Sequence, residues 1–450
     1  MHLSYNDALP FPIDYKKYSM KSINTLTTAS VLLLICSSPV QADNFSADNY
    51  LFGDIGGIRS QMHNAGVDVS LGYTFETGGN LNGGQRHATS YADQTVLGAN
   101  FDLEKLLELS GANFHVALTN RGGQSQNIND KAEIGQLMQS IEVFGRGRVT
   151  RISEFYYEQN LLSGDLNIKL GRMNVGAEFG DFQCEFAYLG FCGSQVGNFN
   201  STIYNWPISQ WAGVVKYQLA PEWYVKTGIY QMNPSWLKNS QNLNLGSPHG
   251  TLGMTIPVEL AWMPKINGLP GTYKLGYWHD TVGGEDLYYN EEGNPLIIDG
   301  GKARQHDSKD GAYFVAEQQV TSVGGDFDRG LSVFFMGTLN DQDITTVDHS
   351  LALGVNYQGP FAARANDKWG LAATYLHVND SFADSAHLYN NNHVLNMPVK
   401  DTETVVASYY KFQVTKYAAI RPEIQYIINP GAISENDDTW VVTLKGDIAF

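Results

Sequence analysis

The sequence predicts an all-β fold, a transmembrane antiparallel β-barrel of about sixteen strands preceded by a short N-terminal periplasmic helical segment. Three observations carry that reading. Sixteen segments alternate apolar and polar residues with period two, each near the 9–11 residues a tilted spanning strand requires. No run beyond the first forty residues approaches 18 consecutive apolar residues, so a spanning form has to be a closed barrel rather than a helix bundle. Aromatic residues gather at segment ends, among them Tyr73, Trp223, Trp262, Tyr273, Trp369 and Trp440, where interfacial girdles fall.

Composition agrees. Only 17% of the 450 residues are charged, against roughly 25% in soluble domains, while 43% are hydrophobic and 12% aromatic. The formal net charge of −17 argues against a nucleic-acid partner. Apolar and aromatic residues run the whole length, which argues against disorder.

The first forty residues read as an address. Lys16, Lys17 and Lys21 precede the apolar run from Ala29 to Ile35, and small residues lead to Ala42. That is a secretory signal peptide over 1–42, with Met20 an alternative start that makes 1–19 an upstream extension. Its removal leaves Cys184 and Cys192. In an exported protein the pair can staple a loop, for roughly 2–3 kcal/mol; two free thiols or an isolated metal pair are the alternatives.

From 43 to 66 the spacing of Leu51, Ile55, Ile58 and Met62 predicts a short helix, with Asp54 early and Gly66 as its stop. The barrel then occupies 67–450. Val67, Val69, Leu71, Tyr73 and Phe75 alternate with Asp68, Ser70, Thr74 and Glu76 in the first strand, 67–76. The next seven fall at 94–102, 112–121, 152–159, 165–172, 211–219, 222–231 and 256–263. The second half adds 272–280, 312–319, 330–338, 350–358, 368–378, 402–413, 418–428 and 439–450. Leu103 to Leu109 reads as a helical turn or plain connector. Long polar connectors lie at 122–151, 173–210, 232–255 and 281–311, with a shorter one at 379–400.

Parity assigns the faces. If Phe114, Val116 and Leu118 meet lipid, then His115, Thr119 and Arg121 meet the lumen. The same rule turns Glu154, Tyr156, Glu158, Asn167, Lys169, Tyr224, Lys226, Tyr230, Arg421, Glu423 and Gln425 inward. Arg121, Glu154, Lys169 and Glu423, with Tyr230 and Gln425 beside them, are the candidate constriction. Strict parity points Arg172 at lipid, and a break at Gly171 is needed to turn it inward. Trp206, Trp211 and Trp236 are candidates for stacking on a ring, with Trp211 better read as a girdle residue.

The local wording of the chain points further. Gly53-Asp54-Ile55-Gly56-Gly57-Ile58-Arg59, Leu170-Gly171-Arg172-Met173-Asn174, Gly228-Ile229-Tyr230-Gln231-Met232-Asn233-Pro234 and Arg421-Pro422-Glu423-Ile424-Gln425-Tyr426 occur in order. With Trp206-Pro207 and Asn429-Pro430-Gly431, this order over most of the chain resembles the carbohydrate-selective porin (OprB) family. The resemblance implies a sixteen-stranded pore that passes mono- and disaccharides such as glucose passively through a polar constriction, without a cofactor. It places the chain in the outer membrane of a Gram-negative bacterium, among its lipid and lipopolysaccharide, as monomer or homotrimer. It also implies that the C-terminal Phe450 is what the barrel-assembly machinery reads.

Enzyme signatures are missing from the sequence: there is no Gly-x-Ser-x-Gly elbow, phosphate loop, His-Glu-x-x-His or Cys-x-x-Cys. Asp341, Asp343 and Asp348 lack the Gly and terminal Glu of a helix–loop–helix calcium site and read as a solvated loop. His377, His387 and His393 read as exposed rather than as metal ligands. Two alternatives stand beside the sugar pore: a general diffusion pore, and a secreted carbohydrate-binding or carbohydrate-active β-protein.

Overall fold

The computed structural model describes residues 46–450 apart from 183, 184 and 395. The expected signal peptide, 1–42, and Cys184 therefore lie outside the described residues. Sixteen antiparallel strands form the barrel. They are β1 (Val67–Asn80), β2 (Thr89–Asp102), β3 (Ala112–Gly123), β4 (Thr150–Leu161), β5 (Leu166–Met173), β6 (Gln210–Ala220), β7 (Trp223–Met232) and β8 (Gly253–Trp262). β9 (Leu269–Asp280), β10 (Lys309–Gln319), β11 (Gly330–Asn340), β12 (Val347–Gln358), β13 (Lys368–Val378), β14 (Thr402–Thr415), β15 (Ala418–Ile428) and β16 (Thr439–Ala449) follow. Each strand pairs with the next, and β1 closes the ring on β16 from Gly72↔Ala449 to Asn80↔Val441. Closure removes the unpaired edge that a membrane cannot solvate.

Every expected strand is present. The largest shift is at β2, which begins at Thr89 rather than 94. Asn80 explains it: its side chain donates to the Gly83 and Arg86 carbonyls and accepts from Ala88 N–H at 2.8 Å, tightening the β1–β2 turn. Long connectors and short turns segregate to opposite ends, with the start of β1 and the end of β16 on the short-turn side. This orients the long connectors outward from the cell.

Alternation sorts the faces as expected. In β15, Ile420 and Ile424 are exposed while Arg421, Glu423 and Gln425 are buried. Leu170, Ile229, Leu275 and Leu353 are each more than half exposed on the outer wall, a continuous apolar surface that suits lipid and not water. Trp262 stacks on Trp223 at 5.7 Å and on Tyr273 at 5.2 Å at the short-turn end, and Tyr426 stacks on Trp440 at 4.5 Å at the other. Two girdles result.

Four local expectations need correction. The N-terminal helix covers only Ile58–Asn64, and Leu51, Ile55 and Ile58 are exposed rather than packed inside. Asp54 instead accepts from Ser60 N–H and hydroxyl, both at 2.7 Å, holding the turn before the helix. The 379–400 connector carries a helix, Asp380–Asn392, begun by Asn379 accepting from Ser381 N–H. The 281–311 connector contains a small hairpin, Glu285–Asn290 with Ala303–Gln305. Lastly, Asp348 and His377 are mostly buried rather than solvated, because both sit in strands at the outer rim. Leu103–Leu107 is a helical turn, capped by Asp102.

Candidate functional site

Two connectors turn into the lumen, and the wall charges are what hold them. Connector 174–209 starts from a bend at Gly171, whose φ of +149° breaks the alternation. A Cβ there would meet the Phe155 carbonyl at 2.3 Å, so only glycine fits. The break turns Arg172 inward. It is 3% exposed, donates to the Ser209 and Asn244 carbonyls, and lies 4.0 Å over the Trp236 ring.

From there connector 174–209 runs round the wall. Glu178 meets Lys169 of β5 at 2.7 Å, and its carbonyl accepts from Lys226 of β7. Gly180 N–H donates to Glu259 of β8 at 2.9 Å, and Asp181 meets Lys274 of β9 at 2.6 Å. Glu185 then draws in Lys368 of β13 at 2.8 Å, Arg421 of β15 at 3.2 Å and Lys411 of β14 at 3.8 Å. Burial alone raises the Glu185 carboxyl, but Lys368, Arg421 and Lys411 hold it well below the ordinary carboxylate range. Ala187 and Tyr188 N–H groups donate to Glu423 at 2.7 and 3.2 Å. Phe186 packs edge-on to Tyr409 at 4.7 Å, and Phe182 lies against Phe334.

Connector 124–149 covers the rest. Leu137 N–H donates to Glu403 and Val143 N–H to Glu76, at 2.8 and 2.9 Å. Glu142 meets Lys445 at 2.6 Å, and Gln425 donates to the Ser140 carbonyl at 3.0 Å. The connectors also touch each other, through Leu189 N–H to the Gln139 carbonyl.

The candidate residues therefore fall into distinct settings. Arg121 is buried, donating to Gln94 at 2.9 Å and to the Gly145 carbonyl. Lys169, Glu423 and Gln425 are buried and each binds a connector. Tyr230 is fully buried, edge-on to Phe179 at 6.1 Å. Glu154 differs, being mostly but not fully buried on the inner wall, within reach of the charges of His115, Lys169 and Glu178. His115 beside it stacks on Tyr156 at 4.6 Å and bonds Glu158 at 2.9 Å.

Of the tryptophans, Trp236 is closed under Arg172 and Trp211 lies on the outer wall, bonded to the Gly246 carbonyl. Trp206 is half-buried and donates to Gln94 at 2.9 Å. Cys192 is disulfide-bonded, and its expected partner Cys184 lies outside the described residues. Sequence reasoning missed Glu76, Glu185, Glu259, Lys274, Lys368 and Glu403. Inward parity could have marked those on strands, but nothing local marks which of them a connector will cover.

A family model described as carbohydrate-selective porin, OprB family, matches residues 86–450. The chain belongs to that family. Porin B of Pseudomonas aeruginosa is 39% identical over 425 residues, covering 91% of this chain and 93% of that protein. The putative porin QuiX of Acinetobacter baylyi is 33% identical, covering 96% of this chain and 100% of that one. Among solved structures, the high-pH structure of Pseudomonas putida OprB superposes with a TM-score of 0.86 at 39% identity, over 90% of this chain and 99% of that one. As an OprB-family barrel, the protein is a Gram-negative outer-membrane porin for the passive passage of sugars. Its family and fold are those of a channel rather than an enzyme. A sixteen-strand barrel would otherwise leave a wide aqueous lumen, and the two inward connectors are what narrow it.

Proposed function

We propose that this OprB-family porin selects small neutral sugars, glucose among them, at the ring of polar groups left between its inward connectors. The observation that carries the reading is the connector 174–209, tied to the inner wall from β5 round to β15. A permanently belted lumen screens solutes by size and by polar contact. Within it, Arg121, Lys169, Arg172, Glu423 and Gln425 act by positioning the connectors, and Tyr230 packs behind them. Glu154 accepts hydroxyl hydrogen bonds from a passing sugar, and the half-buried Trp206 offers a ring face to its C–H patches. Each contact has to stay weak, since tight binding blocks release.

Outer-membrane lipid and lipopolysaccharide surround the apolar wall in this reading. Phe450 engages the assembly machinery before folding is complete. In the folded chain its ring lies 5.4 Å from Phe52 and its carbonyl accepts from Arg59 at 2.7 Å.

The test is glucose entry into liposomes, normalised to ion conductance of the same preparation. Losing one sugar contact of about 1 kcal/mol changes entry roughly fivefold. Glu154→Gln and Trp206→Ala should shift the ratio by that order, and Arg121→Ala should shift it through the connector. An unchanged ratio in the first two removes them from the path. Equal entry of glucose and amino acids of similar size would make the protein a general pore.

A further inference from the structure

The outer rim of β12 and β13 holds a cluster that sugar passage does not use. Val347 pairs with Val378 and His349 with His377, so Asp348 is the extra residue of a β-bulge. A bulge re-aims a side chain. Here it swings the Asp348 carboxylate onto both imidazoles, with Oδ1 2.9 Å from His349 Nδ1 and 2.7 Å from His377 Nδ1. The two rings stack at 4.3 Å and 21°. One donor atom from each of the three residues lies within 4.8 Å of the others.

His377 Nε2 faces Asp380 at 3.6 Å and Asp401 at 3.9 Å. His377 thus has a carboxylate at each ring nitrogen, Asp348 at Nδ1 and Asp380 and Asp401 at Nε2. Among the described residues, no lysine or arginine is ion-paired with Asp348, Asp380 or Asp401. A dication beside the Asp348 carboxylate would take the Nδ1 lone pairs of both imidazoles and leave the His377 Nε2–H to the exposed Asp380 and Asp401.

We infer that Asp348, His349 and His377 form a binding site for one divalent transition-metal ion of the zinc class. Two imidazoles with one carboxylate select zinc and its neighbours over calcium or magnesium, which take oxygen ligands. Tetrahedral bonds of about 2.0–2.1 Å set ligand atoms roughly 3.3 Å apart. The present contacts open by about half an ångström to admit the ion, using rotation of an exposed imidazole. His349 is 35% exposed, so entry from outside and a water as remaining ligand are both available.

The ion would also tie the wall to the connector bearing the helix Asp380–Asn392. Asn379, at the start of that connector, already donates to the carbonyls of Gln342 and Thr345. The rim turns around the site are therefore stitched together before any ion arrives.

The experiment uses tag-free, detergent-purified full-length protein, stripped with chelator and then titrated with zinc alone by calorimetry. Metal content after dialysis is measured in parallel. The expected result is one zinc per chain, retained against millimolar calcium and magnesium and raising the melting temperature. His349→Gln and His377→Gln should each weaken binding at least about tenfold, while Asp380→Asn should leave one zinc bound. Heat-modified gel migration checks that each variant is a folded barrel, and the exposed His349 site supplies a variant that leaves the wall packing intact. Wild-type binding no tighter than that of His349→Gln overturns the inference. So does displacement of zinc by calcium.

Discussion

The two connectors that enter the lumen are held by different means. Connector 124–149 gives the wall one carboxylate, Glu142, and otherwise relies on backbone bonds (Leu137 and Val143 N–H donating, the Ser140, Gly145 and Arg146 carbonyls accepting from Gln425, Arg121 and Arg151) and on buried Ile128, Ile134, Met138, Ile141 and Val143. Connector 174–209 brings three carboxylates, Glu178, Asp181 and Glu185, to six wall cations. Apolar packing degrades gradually when one group is lost, whereas a buried charge network leaves an uncompensated charge behind. The longer connector is thus the more sharply placed and the more easily broken.

The largest expected effect follows from Glu185. Lys368 and Lys411 sit opposite each other in register, and Arg421 comes within 3.2 Å of the same carboxylate. Glu185→Ala leaves three cations facing one another and costs roughly 3–5 kcal/mol of connector anchoring, by the measure of broken buried pairs. Single-channel conductance should rise and discrimination between glucose and amino acids should fall. Conductance equal to wild type would mean that the connector is placed by its apolar contacts after all.

Acid sharpens the same point. Because the folded-state Glu185 carboxyl is held below its ordinary range by Lys368, Arg421 and Lys411 against the opposing effect of burial, its stabilisation is complete above that range. It declines progressively as pH falls from the ordinary value to the depressed folded value, where the folded carboxylate itself takes up its proton. Conductance of the wild type should therefore show no step from this group on acidification through the ordinary carboxylate range. An opening transition there would place the weak point elsewhere, on connector 124–149.

An intermediate effect is expected at Glu403, where the connectors converge. It accepts from Leu137 N–H at 2.8 Å, Gly431 N–H at 2.8 Å and the Tyr188 hydroxyl at 3.3 Å. Glu403→Gln keeps the shape but weakens charge-assisted bonds worth about 1.5–3 kcal/mol each. Conductance noise, which reads connector motion, should increase more than mean conductance.

The barrel was legible because its signal is local and repeated. Ile420 to Ile428 alternates so cleanly that face, length and lumen charges follow from period two alone. Arg172 was legible only in part, because a glycine that breaks parity can be suspected from sequence but its φ cannot. The connector contacts were not legible. Glu185 and Lys368 are 183 residues apart, and no local pattern says that this lysine, rather than another inward one, receives that carboxylate. His377 was misjudged for the same reason, since a one-residue bulge at Asp348 decides where three side chains point, whereas His387 and His393 are exposed as expected.

The smallest effect tests whether the two connectors behave as one unit. Gln425 donates to the Ser140 carbonyl of one connector at 3.0 Å and to Glu423 at 2.8 Å, and Glu423 in turn accepts the amides of the other. Gln425→Leu removes a bridge worth about 1 kcal/mol, too little to open the pore alone. Combined with Glu185→Ala in a thermal-stability double-mutant cycle, it becomes informative. Independent connectors give additive losses, within about 0.5 kcal/mol, whereas a shared network gives coupling beyond that. The relay through Glu423 predicts coupling, because the anchor lost at Glu185 shifts the Ala187 and Tyr188 amides that hold the Glu423 carboxylate in place for Gln425.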